Sequence, residues 1–527
     1  MPGSGNSLAS TTWPKGCSNP LLRFLSLLVT IATVNQQDQE VADDHETRSV
    51  SLDEPTSSRR GTLVMLEALR SIVGASHVSV GDEIPEAVEH DESIGGIATR
   101  PLAVVRPAST EEVAAIVRAA QQFGVPLTPR GSGTGLSGAS IPSTSGVVVS
   151  FERMQQILEI DLENHVVVVQ PGVTLVQLEE ALRETELIYP VFPGEQSASL
   201  GGNIATNAGG MRAVKYGVTR HHVLGLEAVL GTGEVISTGG KFVKATSGYD
   251  LTQLLVGSEG TLAFITEATL RLHPRAPHQG TLLAPFTTLH EVAKAVPRLV
   301  GSGCGPLIVE YIDFFTMSAI TERAGIDLAI PEVIREQALA YLVVVLENHR
   351  GDRLDEDLEE VGALLADLGA LEVYVLPGKA GAELIHAREG AFWVSKAAGA
   401  DDLVDVVIPR ACMPEYLEAV SELASATSSL ILGCGHAGDG NVHLSVFQPD
   451  PEVRHEVLRA MFKLGVELGG AISGEHGIGR AKREYLAEFE DPIKLQLMIS
   501  IKEVFDPHAI LNPGAIFALD HLQEAQE

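Results

Sequence analysis

A glycine-rich loop is the feature of this chain that most constrains its fold. Between two strand-like runs the chain reads Arg-Gly-Ser-Gly-Thr-Gly-Leu-Ser-Gly at residues 130–138, which formally contains the pattern G-x-G-x-x-G. A dinucleotide-binding fingerprint must open directly into a helix whose N-terminus holds the pyrophosphate. Here the loop leads to a second buried strand, predicted at 146–150, so that arrangement is excluded. The small residues still let backbone N–H groups approach an anion closely, and we predict that the loop holds a diphosphate.

The length of the chain predicts more than one domain. With 527 residues it exceeds the size at which a single core keeps growing. Strand-like and helix-like runs alternate over 63–275, which favours a mixed α/β domain. Pro274, Pro277 and Gly280 predict a boundary. Further strand-like and helix-like runs over 276–517 predict a second, α+β domain.

The two ends of the chain are set apart from these domains. Residues 1–62 are predicted to be a disordered or non-native extension, and residues 518–527 a tail. The apolar stretch 21–34 is too short for a transmembrane helix, and no convincing small-residue cleavage site follows it. We therefore expect a cytoplasmic protein, or one held peripherally at the inner face of the membrane.

Charge and cysteine content exclude several classes of protein. The formal net charge is -32, from 37 Lys+Arg against 69 Asp+Glu, and no long basic run offsets it. This balance excludes a phosphate-tracking surface and hence nucleic acid as a partner. The four cysteines form no C-x-x-C pair, which argues against a disulfide framework and a cysteine-rich zinc site. An anionic substrate would need local positive charge from a metal or an arginine.

Local signals predict several helices and strands. Ser109 as N-cap and Glu112 three residues later form a capping box for a helix over 113–123, which ends at Gly124. The other predicted helices are 63–73, 175–185, 355–368, 453–468 and 492–504. The other predicted strands are 100–105, 126–128, 166–169, 223–230, 262–272, 307–314, 342–347, 373–376 and 403–408.

Two strings near the C-terminus contain the best metal-ligand candidates. In the first, an Asp-Gly turn lies between two strand-like runs, so a hairpin would bring His436 and His443 together. The second, Ser-Gly-Glu-His-Gly, supplies the carboxylate of Glu475. Two imidazoles and one carboxylate without a fourth protein ligand describe an open, catalytic metal site. The alternative is that the two histidines make separate hydrogen bonds and that Glu475 and His476 form a surface turn.

A second glycine-rich loop at 192–210 and the run Gly-Ser-Glu-Gly-Thr-Leu-Ala-Phe-Ile-Thr at 257–266 complete a wider pattern. Together with the first loop they resemble the FAD-binding domain of the vanillyl-alcohol oxidase and p-cresol methylhydroxylase (PCMH) flavoprotein family. The resemblance implies that the first loop holds the FAD diphosphate, the second runs along the flavin, and the backbone near Ile265 meets the adenine end. Neither loop has the His or Cys that covalent members use, so non-covalent FAD is expected. The residues implied to contact FAD are Arg130, Gly131, Ser132, Gly133, Thr134, Gly135, Ala139, Ser140, Gly194, Ser199, Asn203, Thr206, Ile265 and Asn512.

The C-terminal strings resemble the FAD-linked D-2-hydroxyacid dehydrogenases, which include the glycolate oxidase catalytic subunit, D-lactate dehydrogenase and D-2-hydroxyglutarate dehydrogenase. The likeness covers about 63–517. It implies an α+β fold: a two-part PCMH-type FAD-binding domain, then an α+β substrate (cap) domain, with the C-terminal segment returning to the FAD. It also implies metal ligation by His436, His443 and Glu475, with His476 as the base. Zinc is the expected ion, and manganese and iron are the alternatives.

The same resemblance implies the substrate contacts and the reaction. Arg388 matches the position that grips the substrate carboxylate, an exposed helix arginine being the alternative, and Arg410 matches the glycolate and lactate branch. Leu403 stands where the hydroxyglutarate branch places a lysine, which favours a small monocarboxylate. The metal acidifies the chelated hydroxyl and His476 takes its proton. The hydride passes to flavin N5, so glycolate or D-lactate becomes the 2-oxo acid.

The sequence is also compatible with three other functions. They are a D-2-hydroxyglutarate dehydrogenase, a zinc hydrolase that uses the same three ligands with water, and a non-catalytic FAD-binding subunit of an oxidase complex. For a dehydrogenase, the expected electron acceptors are a quinone, a cytochrome or an electron-transfer flavoprotein. Partner subunits and a homodimer are both compatible with the sequence.

Overall fold

The computed structural model describes residues 56–518. Residues 1–55 of the predicted extension, with the apolar stretch 21–34, and residues 519–527 of the predicted tail lie outside the described residues. The first helix, α1 (Thr56–Val73), begins before residue 63, where the ordered chain was predicted to start. Met65 and Leu69 of this helix are fully buried in a core with the first strands.

The described part of the chain contains alternating helices and strands, numbered here in chain order. The helices after α1 are α2 (Thr110–Phe123), α3 (Leu175–Leu182), α4 (Leu200–Thr206), α5 (Ala213–Tyr216), α6 (Leu251–Leu255), α7 (Leu289–Val300), α8 (Phe314–Ala324), α9 (Glu332–Arg335), α10 (Gly351–Asp367), α11 (Gly378–Glu389), α12 (Ala391–Ala397), α13 (Met413–Thr427), α14 (Pro451–Glu467), α15 (Arg483–Phe489) and α16 (Pro492–Phe505). The strands are β1 (Val78–Val80), β2 (Ala103–Val105), β3 (Leu127–Arg130), β4 (Val147–Ser150), β5 (Ile157–Asp161), β6 (Val166–Val169), β7 (Leu187–Ile188), β8 (Val223–Leu230), β9 (Val235–Gly239), β10 (Ala263–Arg271), β11 (His273–Pro274), β12 (His278–Phe286), β13 (Ile308–Asp313), β14 (Ala340–Asn348), β15 (Tyr374–Leu376), β16 (Asp402–Val407), β17 (Leu430–His436) and β18 (Asn441–Phe447).

Two sheets dominate the first half of the described chain. One is four-stranded, in the order β1-β2-β4-β3, and its last three strands run parallel. The other is five-stranded and antiparallel, in the order β5-β6-β10-β8-β9. Strands β4 and β6 are buried over their whole length, as expected for valine-rich runs that are covered on both faces.

Helix α2 begins and ends where the local signals predict. Ser109 Oγ accepts a hydrogen bond from Glu112 N at 3.3 Å, and Gly124 ends the helix in the left-handed conformation with φ 63°. The Glu112 carboxylate instead accepts from Ala108 N at 2.7 Å, one residue before the N-cap. The start of the helix is confirmed. The second, reciprocal bond of the predicted capping box is replaced by the bond to Ala108 N.

A seven-stranded antiparallel sheet in the second half carries the candidate site. Its order is β15-β12-β14-β13-β17-β18-β16. Gly280, one of the three residues used to predict the domain boundary, lies within strand β12. A Cβ atom on Gly280 would lie 2.6 Å from Leu358 Cδ1 of α10. The glycine thus lies where the Leu358 side chain packs closely on the sheet, rather than in a turn.

The chain after α16 returns to the first half of the molecule. Leu127 N donates to Ile510 O at 2.7 Å, and Asn512 N donates to Leu127 O at 2.7 Å. Lys502, only 2 % exposed, donates to Leu511 O at 2.8 Å. The expected return of the C-terminal segment is therefore present. Within residues 56–518, no helix is both long enough and apolar enough to cross a bilayer.

Candidate active site

A first cavity, with an empty volume of about 1280 Å³, lies where the two glycine-rich loops meet. Ser132 Oγ of the first loop donates to Ser197 O of the second at 2.6 Å. Gly131 lies so close to the second loop that a Cβ atom on it would be 2.0 Å from Ser199 Oγ. Ser199 is also the N-cap of α4 and accepts from Gly202 N at 3.3 Å. The two loops thus form one backbone cradle with room for an extended ligand.

Most residues predicted to contact FAD line this cavity. They are Arg130, Gly131, Ser132, Gly133, Thr134, Gly135, Ala139, Ser140, Ser199, Asn203, Thr206, Ile265 and Asn512. Gly194 lines a second cavity instead. The Arg130 guanidinium donates to the carbonyls of Ala87 and His90 at 2.5 and 2.9 Å. The Arg130 side chain therefore holds the start of the first loop against residues 87–90.

Several polar groups of the first cavity lack a protein partner. Among residues 56–518, Ser140 Oγ, Asn203 Nδ2 and Asn512 Oδ1 are buried without a hydrogen bond. Within the same part of the chain, the backbone N–H groups of 131–135 have no acceptor. Buried polar groups are normally hydrogen-bonded, so these groups fit a polar ligand. Clustered N–H groups of small residues suit a diphosphate.

Glu259 connects this cavity to the C-terminal loop, and the sequence did not predict its role. It is 4 % exposed, and its carboxylate accepts from Ile478 N at 2.7 Å and from Gly479 N at 2.8 Å. Burial raises the pKa of Glu259 to about 7, although the two N–H donors oppose that shift. The sequence signal was weak, a single acidic residue inside a glycine-rich run.

The second cavity, of about 660 Å³ empty volume, adjoins the first. Leu136, Pro193, Glu475 and His476 line both cavities. Arg388 is the only lysine or arginine among the residues of the described chain that line the second cavity. Its apolar wall includes Phe192, Met211, Ala391, Phe392 and Leu403. The second cavity can therefore hold a small anion beside the ligand of the first.

The candidate metal ligands from β17 and β18 lie on one face of the seven-stranded sheet. The register pairs Glu310 with His436 and Asp405 with His443. His443 lies opposite Cys434, two residues before His436, so the side chains share a face. The centroids of the two histidine rings are 4.9 Å apart. The predicted hairpin is confirmed.

Glu475 reaches both histidines from the loop after α14. Its Oε1 lies 3.1 Å from His436 Nε2 and 3.2 Å from His443 Nε2. Burial alone would raise the pKa of Glu475, but the two histidines hold it well below its usual range. Burial likewise would lower the pKa of His436, yet the carboxylates of Glu310 and Glu475 raise it to about 10. Two imidazoles and a carboxylate that converge beside a cavity match the donor set of an open zinc site.

Asp405 anchors the loop that carries Glu475. It is fully buried, and its Oδ2 accepts from the backbone N–H groups of 474–476 at 2.9 to 3.1 Å and from Ser473 Oγ at 2.8 Å. Its Oδ1 accepts from Asn441 Nδ2 at 2.8 Å. The only sequence signal for Asp405 is that it is a charged residue within an apolar strand.

Asp405, His443 and His476 form a second trio whose ligand atoms lie within 4.8 Å of one another. We favour the first trio, because both oxygens of Asp405 already accept hydrogen bonds. Burial alone would raise the pKa of Asp405, but His476, Lys482 and His443 hold it well below its usual range. The Nδ1 atoms of His443 and His476 each lie 3.8 Å from an Asp405 oxygen. Asp405 thus faces the Nδ1 side of both rings.

His476 lies at the junction of the two cavities. Its ring stacks on His443, with centroids 4.9 Å apart and an angle of 18° between the planes. Its carbonyl accepts from Ser137 Oγ of the first loop at 3.0 Å. Burial lowers the pKa of His476 to about 4, assisted by His443 and Lys482 and opposed by Asp405. The ring is therefore neutral near pH 7 and is able to accept a proton.

Arg388 is 7 % exposed and enters the second cavity from α11. The alternative of an exposed helix arginine was therefore wrong. Its Nη2 lies 2.8 Å from Glu310 Oε2, off the direction of a hydrogen bond, and its Nε has no partner in the described chain. Arg410 is exposed in a short 3-10 helix and lines neither cavity. Of the two predicted arginines, only Arg388 joins the site.

Comparison with known proteins agrees with this architecture. Residues 101–239 match the FAD binding domain family, and residues 275–516 match the family of FAD linked oxidases, C-terminal domain. An FAD-linked oxidoreductase of Mycobacterium tuberculosis is 52% identical over 453 residues, which cover 86% of this chain and 99% of that protein. A D-lactate dehydrogenase of Anaerostipes hadrus is 38% identical over 462 residues, which cover 86% of this chain and 97% of that protein.

The fold is also similar to a solved structure. p-Cresol methylhydroxylase with substrate bound has a TM-score of 0.71 at 17% identity, covering 89% of this chain and 98% of the other. The expected two-domain PCMH-type architecture is thereby confirmed. The chain belongs to the FAD-linked oxidases and is an FAD-linked oxidoreductase.

Proposed function

We propose that this protein oxidises a small D-2-hydroxy acid, glycolate or D-lactate, to the corresponding 2-oxo acid. The observation that supports this most is the convergence of His436, His443 and Glu475 beside His476 and Arg388, in a cavity that adjoins the cradle of the glycine-rich loops. A small molecule with a carboxylate next to a hydroxyl suits this arrangement. Arg388 can bind the carboxylate, and the hydroxyl can lie against the metal ligands and His476.

The cradle fits FAD and the trio fits a divalent ion, with zinc as the expected metal. FAD would be held by the loops around 131–140 and 199–206, and the ion by His436, His443 and Glu475. Bound FAD supplies a two-electron acceptor, and a bound divalent ion lowers the pKa of a hydroxyl that it contacts. Among the described residues that line the first cavity there is no cysteine and no histidine other than His476, which supports non-covalent FAD.

The protein's own groups bind the acid and move its proton. Arg388 binds the substrate carboxylate with guanidinium N–H groups that lack a hydrogen-bond partner in the described chain. His476 accepts the hydroxyl proton at Nε2, because its Nδ1 faces Asp405. The apolar wall of the second cavity excludes water from the reacting groups. Arg410, which lines neither cavity in the described part of the chain, is given no role in this proposal.

The substrate side chain is proposed to be small and uncharged. Leu403 and Phe392 line the second cavity, and Glu389 adds a carboxylate to its wall. The distal carboxylate of D-2-hydroxyglutarate would find no lysine or second arginine among the described lining residues, and an unpaired buried charge is costly. D-2-hydroxyglutarate is therefore the less favoured, alternative substrate.

Anaerobic mixing of the FAD-loaded protein with D-lactate, L-lactate, glycolate and D-2-hydroxyglutarate tests this function. We expect D-lactate or glycolate to bleach the flavin with an equal yield of 2-oxo acid, and L-lactate to leave the flavin oxidised. Bleaching by D-2-hydroxyglutarate alone would support the alternative substrate. A yellow protein that no acid reduces would indicate a non-catalytic FAD-binding subunit, and a purified protein that takes up no FAD would indicate a zinc hydrolase. Adding a quinone, a cytochrome or an electron-transfer flavoprotein to the bleached protein then identifies the acceptor class.

A further inference from the structure

One buried carboxylate lies between the two groups that are proposed to hold the substrate. Glu310 of β13 is fully buried. Its Oε1 lies 2.6 Å from His436 Nδ1, and its Oε2 lies 2.8 Å from Arg388 Nη2. We propose that Glu310 is a positioning residue that sets the separation between the metal subsite and the carboxylate subsite. The inference rests on the proposed function, since it concerns the groups that bind the acid.

The contact with His436 determines which ring nitrogen faces the candidate metal site. When Nδ1 donates to Glu310, Nε2 is left toward Glu475 Oε1, which lies 3.1 Å away. A carboxylate behind a metal-binding imidazole fixes the orientation of its ring and raises its basicity. Glu310 itself lies on the far side of the ring and is in neither ligand trio found in the described chain. It therefore acts through His436.

The contact with Arg388 supplies the counter-charge that a buried guanidinium needs. No other acidic residue of the described chain forms an ion pair with Arg388, and an unpaired buried cation is strongly disfavoured. Glu310 Oε2 lies off the hydrogen-bond direction of Arg388. The N–H groups at Nε and Nη2 of Arg388 are therefore available to a ligand. One oxygen of Glu310 thus holds the arginine in place while leaving its donors free.

Strand pairing makes this arrangement rigid. Glu310 and His436 are direct partners in the ladder between β13 and β17, so their Cβ atoms are held at a fixed spacing. Arg388 arrives from α11 and meets the same carboxylate. A single side chain therefore couples a strand and a helix, and a change in it alters both subsites together.

Glu310→Gln in the FAD-loaded protein tests this role, with Glu347→Gln as the matched control. Glu347 is a buried carboxylate of the same sheet, and it contacts Lys215 and Tyr216 instead. We expect Glu310→Gln to weaken Zn²⁺ affinity by about tenfold to a hundredfold, as outer-shell changes do at metal sites. Zn²⁺ affinity is measured by competition with a chelator. We also expect the KM for D-lactate to rise more than kcat falls, and the Ki of propionate to rise in parallel.

Propionate has the carboxylate but no hydroxyl, so it cannot chelate the ion as a hydroxy acid does, and its Ki reports on how the carboxylate is held. An equal loss in Glu310→Gln and Glu347→Gln, or unchanged Zn²⁺ and propionate binding in a folded Glu310→Gln, would overturn the inference. If the glutamine variant does not fold, Glu310→Asp keeps the charge but is one methylene shorter. That variant must weaken at least one of the two affinities, and two unchanged affinities would also overturn it.

Two reference variants separate failure of this inference from failure of the proposed function. His436→Asn should lose Zn²⁺, and Arg388→Gln should raise the KM for D-lactate and the Ki of propionate. If either of these changes has no effect, the proposed function fails. If both have their effects while Glu310→Gln behaves like Glu347→Gln, only the positioning role fails.

Discussion

At the scale of single residues, the site consists of buried charges that neutralise one another. Three acids and three histidines surround the junction of the cavities, with Lys482 and Arg388 beside them. Each buried carboxylate accepts bonds from groups that it also orients, which is the condition under which burial of charge is tolerated. Removing one member should therefore change both stability and chemistry.

Asp405→Asn is expected to destabilise the protein and to slow turnover. An asparagine would bring an NH₂ group toward the backbone N–H donors of 474–476, so the loop that carries His476 would be displaced. We expect a loss of about 3 kcal/mol in the free energy of unfolding, as when one partner of a buried ion pair is removed. Chemical denaturation and kcat measure the two effects. Asp402→Asn on the same strand is the control, and an equal loss in both variants would contradict the role of Asp405.

His476→Asn is expected to retain FAD and Zn²⁺ but to lose turnover. The change removes the group proposed to accept the hydroxyl proton, which is typically worth about 100- to 10,000-fold in rate. The flavin spectrum and elemental analysis establish that the cofactors are retained, and anaerobic flavin reduction by D-lactate measures the chemical step. Near-normal reduction in a fully loaded variant would remove His476 from the role of base.

At the scale of elements, loops that touch at glycines form the cradle. Gly131 meets Ser199, while Gly135 in the same loop has Asp91 Oδ2, at 3.4 Å, as the nearest atom to an added Cβ. The hairpin of β17 and β18 also needs a glycine, because Gly440 has φ 77° and a Cβ on it would lie 2.0 Å from Ile408 O. The positions of these loops and turns thus depend on the absence of side chains.

Gly131→Ala is expected to lower FAD affinity, and Gly362→Ala in α10, where an added Cβ would have its nearest atom 3.9 Å away, is its control outside the cradle. The added methyl group at residue 131 must push Ser199 and the N-terminus of α4 away. Overpacking of this kind costs about 1–3 kcal/mol, which corresponds to roughly a tenfold to hundredfold loss of affinity. FAD titration by fluorescence quenching measures it. Similar affinities for the two variants would show that the loop contact is not needed.

At the scale of the whole molecule, bonds between distant segments place His476 beside the first cavity. Ser137 binds the carbonyls of His476 and Gly477, each at 3.0 Å. Glu259 holds the next two N–H groups of the same loop. The glycine-rich cradle and the loop with the proposed base are therefore linked directly.

Glu259→Ala is expected to weaken this link. Two buried N–H groups would lose their acceptor, at a cost of about 2–4 kcal/mol in the free energy of unfolding. We also expect kcat to fall, because Ser137 alone then holds the loop at 476–479 against the cradle. Glu267→Ala, at a half-buried position of β10, serves as the control in thermal unfolding and kinetics. An unaltered kcat would show that the link does not position the base.

The sequence by itself determined the features that depend on neighbouring residues. The cap at Ser109, the hairpin that pairs His436 with His443, and the glycine-rich loops all follow from local turn and capping chemistry. The resemblance carried by those loops also predicted the two-domain fold. The place of Gly280 inside β12, packed against Leu358, could not be read from its neighbours, because Leu358 is far away in the chain.

Only the tertiary structure decided how the site is held together. The sequence around Glu310, Asp405 and Glu259 does not indicate their roles, because each acts on a residue from another segment. One partner of each lies 126, 71 and 219 positions away, respectively. The burial of Arg388 and the exposure of Arg410 were likewise set by how helices pack on the sheet. Sequence patterns record which groups are available, whereas burial and long-range pairing determine which of them become charged, neutral or fixed in place.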